Sequence, residues 1–225
     1  MSYYRIKNIL FCLYWIYGAS VFAQNVAPTK VICATDKLIQ EFKKVDGIVE
    51  LTNNNDNLKI YAINTETGYP KNAAYCGIIL YNLCKKAGFN LEIPRSQAGM
   101  ARNWRRYGEV VWDSYNGWKP GANKVPGCNE IFIVAYNWNG QNHVGAALYF
   151  HGGINFITGE GNTGMEKVRT PAHTQTDFVG KSTAKIDGVY VKVKVIRGKP
   201  QQGIFLGKER YATAGLVHII KYVVQ

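Results

Sequence analysis

Residues 74–88 read AYCGIILYNLCKKAG. Cys76, Ile79, Leu80, Leu83 and Ala87 recur at three- and four-residue intervals. That spacing predicts a helix over about residues 74–87, with one stripe facing a core. Gly88 follows as a left-handed cap. Cys76 falls in the first turn, where unpaired backbone N–H groups and the helix dipole lower a thiol's pKa and can hold a developing oxyanion. Taken alone, the position suits an inert core cysteine better than a nucleophile.

Toward the N-terminus, residues 36–45 (DKLIQEFKKV) place Leu38, Ile39, Phe42 and Val45 on one side of a short helix, and the polar run 52–57 (TNNNDN) reads as a loop. Toward the C-terminus, Ser96 can cap a third helix that carries Met100, Ala101, Trp104 and Tyr107 and stops at Gly108. Residues 110–129 are loop-like, with Pro120, Pro126 and several glycines. Apolar runs at 131–136, 143–150, 154–158, 189–196 and 216–224 then read as strands, joined by turns such as Asn139-Gly140 and Gly152-Gly153. Helices first and strands afterwards predict an α+β domain with an antiparallel sheet. Residues 165–185 show no clear period and are expected as a loop near the site; the later runs, 188–225, are expected to complete the same sheet.

The first residues read as a secretory signal peptide. Arg5 and Lys7 precede an apolar run, 9–22, that ends in small residues, and cleavage is expected near Ala23. The run is shorter than the roughly 20 residues of a membrane span. Residues 24–225 then form one domain of usual size, exported to the periplasm or beyond, without stable membrane insertion. The net charge is +12, of which Arg5 and Lys7 contribute two. Such a balance suits nucleic acid, anionic lipid, an acidic wall polymer or plain solubility; export disfavours nucleic acid. Four cysteines follow the leader, Cys33, Cys76, Cys84 and Cys128. If Cys76 stays a thiol, at most one disulfide forms among the other three, and the sequence leaves the pairing open.

The later segment Asn142-His143-Val144-Gly145, followed by Thr158-Gly159-Glu160-Gly161-Asn162-Thr163, supplies what a thiol needs. A histidine opening one strand and a carboxylate ending the next can lie side by side. Glu160 or Asn162 can then accept the imidazole N–H and fix the tautomer facing the thiol. Neither CxxC nor HExxH occurs, Gly159-Glu160-Gly161 lacks the context of a phosphate loop, and no metal or cofactor is expected. Trp104, Trp112, Trp118 and Trp138 can line a groove, with core packing the default for at least half of them.

These blocks together resemble the cysteine- and histidine-dependent amidohydrolase/peptidase domains (CHAP domains), a branch of the papain-like superfamily that includes the NlpC/P60 wall hydrolases. The blocks are Gly47-Ile48-Val49-Glu50 with Asn55-Asp56, Tyr75-Cys76-Gly77, Lys86-Ala87-Gly88, Ala101-Arg102-Asn103-Trp104, Tyr107-Gly108, Pro126-Gly127, Asn142-His143-Val144-Gly145 and Glu160-Gly161-Asn162-Thr163. They span residues 36–165 in the family's order. Tyr75 stands where many members have Gln, and Gly127-Cys128 where Gly-Asp is usual. The resemblance implies a papain-like fold with Cys76 as nucleophile, His143 as base, Glu160 as orienting acid and Asn162 as a supporting polar group. Tyr75, Asn72 and Trp104 are the expected oxyanion or substrate contacts. It also implies an exported, monomeric hydrolase of peptidoglycan amides, cutting the muramoyl-L-alanine bond or a peptide bond of the stem or cross-bridge. The alternative is a non-catalytic exported module whose basic surface binds an anionic envelope polymer.

Overall fold

The computed structural model describes residues 32–138, 141–151, 155–164, 167–170, 173–177, 183–186, 189–192, 195–196, 199–200, 202–211 and 216–225. The expected leader lies outside them. Helix α1 (Ala34–Lys43) forms where the spacing predicts it and buries Leu38, Ile39 and Phe42. After the two-residue strand β1 (Ile48–Val49) comes α2 (Leu58–Glu66), which periodicity does not announce because its apolar residues are not confined to one side. Its start is legible in the cap: the Asn57 side chain accepts the Lys59 backbone N–H at 2.8 Å. Helix α3 (Cys76–Lys86) buries Ile79, Leu80 and Leu83, and Gly88 beyond it has φ +85°.

The third expected helix is broken. Residues Arg95–Ala98 form a four-residue α4, entered through Pro94 rather than capped by Ser96, and Ala101–Arg106 form a 3-10 helix. Nor are residues 110–129 only loop, since β2 (Glu109–Asp113) and β3 (Gly117–Trp118) pair there. Next come β4 (Glu130–Trp138), β5 (Gln141–His151) and β6 (Asn155–Gly164), near the expected positions. The chain continues through β7 (Lys167–Thr170), β8 (His173–Asp177), β9 (Thr183–Ile186), β10 (Val189–Lys192), β11 (Val195–Ile196), β12 (Lys199–Pro200), β13 (Gln202–Tyr211) and β14 (Leu216–Val223).

The body is an antiparallel sheet of eight strands in the order β3-β2-β14-β4-β5-β6-β13, with β1 on the outer side of β13; the hairpin β7-β8 extends the same edge. The run 189–196 does not join this sheet, as expected of it, but falls into two small separate hairpins, β9-β10 and β11-β12. Its alternation of valine and lysine marks an extended segment and says nothing of its partner. The place beside β6 is taken by β13, whose pattern Gly203 and Gly207 interrupt.

Both faces of the central strands are covered. Ile131, Ile133, Val144, Ala146, Ile204 and Leu206 pack with Leu38, Phe42, Ile79 and Leu83 of the helices. Phe132, Val134, Tyr136, Phe156 and Leu216 form a second cluster with Val111 and Trp112. Two-sided burial is why residues 131–136 read as a continuous apolar run rather than an alternating one. Full burial of such side chains stabilises the fold by about 1.5–3 kcal/mol each. Cys33 and Cys128 form a disulfide that ties the start of α1 to the start of β4, where the Ala34 N–H also donates to the Cys128 carbonyl at 2.8 Å. Cys76 and Cys84 are free and buried.

Candidate active site

The site begins at the N-terminus of α3. Tyr75 is the N-cap residue but makes no side-chain cap, so the first-turn amides keep their donors for other work. Trp104 and Gly77 fix where this helix end lies. The Trp104 indole N–H donates to the Ala98 carbonyl at 2.8 Å, and a Cβ on Gly77 would come within 2.1 Å of that same oxygen. Only glycine permits this approach.

The Cys76 thiol lies beside the His143 ring near the start of β5, close enough for each to act on the other's charge. On the ring's other side Nε2 lies 3.0 Å from Glu160 Oε2, which leaves Nδ1 for the thiol. Glu160 Oε1 in turn accepts the Thr158 hydroxyl at 2.6 Å. Glu160 is in register with Gly145 on β5. A Cβ there would meet Glu160 Cγ at 2.6 Å, so glycine leaves the space through which the carboxylate reaches His143.

Electrostatics follow from this line of groups. Burial acts to raise the Cys76 pKa, but hydrogen bonding to His143, the charge of that ring and the Val144 and Gly77 backbone N–H groups outweigh it and hold the thiol below its ordinary value of 9.0. Burial acts to lower the His143 pKa, yet its bonds to Cys76 and Glu160 and their charges raise it to about 9. The pair therefore favours thiolate and imidazolium over thiol and neutral imidazole. Cys84, by contrast, is pushed up by burial alone and stays a thiol.

Of the residues singled out in the sequence, Cys76, His143 and Glu160 come together. Of the two alternative orienters, Glu160 is the group at Nε2. Asn162 has a φ of +56°, and its backbone lies beside the Tyr75 hydroxyl. Two expected substrate contacts are corrected: Tyr75 and Trp104 are both fully buried and offer nothing to a bound molecule. The Tyr75 hydroxyl donates to Glu50 Oε1 at 2.7 Å, while Glu50 Oε2 accepts the Asn55 N–H at 2.9 Å. Tyr75 and Glu50 are thus a buried prop behind the cysteine. Asn72 lies exposed on the turn before α3, its carbonyl accepting the Asn55 side chain at 3.1 Å. Trp112 is likewise buried, and Trp118 packs beside it.

Two parts of the site were not singled out beforehand. Thr158 is one: it precedes Glu160 by two in a strand, hence on the same face, which is the signal that could have found it. A cleft of about 270 Å³ beside His143 is the other, lined among others by Arg102, Arg105, Asn142 and His218. Its residues come from the 3-10 helix, β4, β5 and β14, and no local pattern unites them.

Comparison of the chain with protein-family models, with curated proteins and with solved structures finds no match. The fold and the site define a class by themselves: an α+β domain that gathers a buried thiol, imidazole and carboxylate at one place.

Proposed function

We propose that this chain is an exported cysteine hydrolase of papain-like architecture that cleaves amide bonds of peptidoglycan. The observation that carries the proposal is the placing of Cys76, at the start of α3, beside a His143 ring whose Nε2 is bonded to buried Glu160. A binding module has no need of a depressed thiol pKa, nor of a histidine oriented by a buried carboxylate. The substrate class rests on the sequence resemblance and on a positive balance that suits the carboxylates of wall peptides.

In this reading the Cys76 thiolate attacks the amide carbonyl carbon, and the oxygen takes the negative charge beside the amides of the first helical turn. His143 gives its proton to the departing amine as the carbon–nitrogen bond breaks, leaving a thioester on Cys76. Water, deprotonated by His143, then attacks the thioester, releases the acid and restores the thiol pair. Glu160 keeps Nδ1 directed at the sulfur throughout and stabilises the imidazolium.

Digestion of purified peptidoglycan, with fragments identified by mass spectrometry, tests this reading. New amine and carboxyl ends that require Cys76 are expected, and they name the bond. Full digestion by Cys76→Ala would refute the mechanism.

A further inference from the structure

The cleft beside His143 is built by elements far apart in sequence. Arg102 and Arg105 come from the 3-10 helix, and at three residues per turn an i, i+3 pair stacks on one side. His218 of β14 closes another wall. Among the described residues, no Asp or Glu lines it. Both arginines are exposed, and among the described residues neither meets a carboxylate, whereas Lys44, Lys86 and Lys221 each do. The contact recorded for Arg102 is a weak one to Met100 Sδ at 3.9 Å. The carboxylate nearest in effect, Asp113, acts on His218 but is engaged by the amides of Tyr115 and Asn116. His218 is held below its ordinary value by burial and then by the Arg105 charge, so that charge is felt across the cleft.

The position of the cleft says which half of a substrate it serves. Its wall includes His143 but not Cys76. The departing amine takes its proton from His143, so the amine-side half of a cleaved amide lies against that ring. We propose that this cleft is the subsite for the amine-side half of the substrate and that Arg102 and Arg105 bind a carboxylate there. The assignment rests on the reading of the site as a cysteine amidase. Arginine suits the task, because its planar fork matches a carboxylate and never loses its charge. A substrate that carries an amide or a neutral side chain at this place leaves the two cations unpaired and is the poorer one.

The test uses the full chain and a defined probe, L-alanyl-D-glutamate, against its diamide, in which both carboxylates are neutral. Calorimetry is run on the wild type, Arg102→Gln, Arg105→Gln and the double variant; both side chains are exposed, so the fold is kept. Expected are binding of the acid, at least tenfold weaker in each single variant and lost in the double, with the diamide at least tenfold weaker than the acid on the wild type. Equal affinity for acid and diamide, a double variant that binds like the wild type, or no binding at millimolar probe would each overturn the subsite. If the probe binds through both arginines while wild-type protein leaves peptidoglycan uncut, the hydrolase reading fails and the carboxylate site stands.

Discussion

At the scale of single residues, the chemistry turns on which form the Cys76–His143 pair takes. The His143 value lies near 9, above its ordinary 6.5, and that of Cys76 lies below 9.0. The thiolate–imidazolium form therefore fills the window between them. Activity should fall on the acid side as the thiolate takes up a proton, and on the basic side near pH 9 as the imidazolium loses the proton owed to the leaving amine. A pH–rate profile and the pH dependence of iodoacetamide labelling at Cys76 both read this. Labelling that begins only above pH 9 would show an ordinary thiol. Glu160→Gln keeps the shape of the side chain but removes the charge that helps to raise the His143 value. The basic limb should move to lower pH, and kcat should drop by roughly 10²–10⁴, the range of comparable orienting carboxylates. An unmoved limb would mean that Glu160 does not act through His143. Cys76, His143 and Glu160 were legible in the sequence because their chemistry needs particular residue types at helix and strand starts. That Glu160 rather than Asn162 meets Nε2 was not decidable there, since the reach of Glu160 hangs on the missing Cβ of Gly145 on the neighbouring strand.

At the scale of elements, the site is held by two close approaches, one on each side of the thiol. Gly77 brings the start of α3 against the Ala98 carbonyl, and Gly145 lets Glu160 cross to the ring. Gly145→Ala should displace the carboxylate while leaving the strands paired. A shift of about 1 Å at a catalytic group costs on the order of 10²-fold in rate, and overpacking costs about 1–3 kcal/mol of stability. Kinetics and denaturant unfolding together check this. A variant with unchanged kcat would show that Gly145 is not what admits Glu160. Elements with a strong apolar stripe or run, α1, α3, β4 and β5, could be read from the sequence. Those lacking one, α2, β2 and β13, could not: α2 is revealed by its Asn57 cap, and β2 depends on β14, which lies about a hundred residues downstream. Residues 95–106 misled for a different reason. The stripe of Met100, Ala101, Trp104 and Tyr107 is real, but it spans a break and a 3-10 turn, in which Met100 is exposed and Trp104 buried.

At the scale of the whole molecule, the order of strands in space departs from their order in the chain, and stability follows space. The Cys33–Cys128 disulfide closes a separation of 95 residues. Loop-closure entropy puts such a link at up to about 4–5 kcal/mol, with 2–4 kcal/mol typical. Cys128→Ser should lower the Tm by roughly 5–10 °C at the usual 2–4 °C per kcal/mol for a chain of this size. Reductant should lower the wild type alike and the variant no further; an unchanged Tm would mean that the link is not formed in solution. The C-terminal strands matter more. β14 lies between β2 and β4, and β13 pairs along the length of β6, the strand that carries Glu160. A chain ending at Gly164 loses Ile204, Phe205 and Leu206 from one strand and Leu216, Ile219, Ile220, Tyr222 and Val224 from the end of the chain, all buried. At about 1.5–3 kcal/mol each these eight side chains supply on the order of 12–24 kcal/mol, as much as the whole net stability of an ordinary domain, about 5–15 kcal/mol. The truncation also strips β6 of one of its two partners and opens the ladder beside β4, leaving backbone groups that invite aggregation. The shortened chain should thus be insoluble or melt without a cooperative transition, read by circular dichroism and calorimetry. A soluble, cooperatively melting, active fragment would show that Cys76, His143 and Glu160 are held without β13 and β14, against the topology that places those strands inside the sheet.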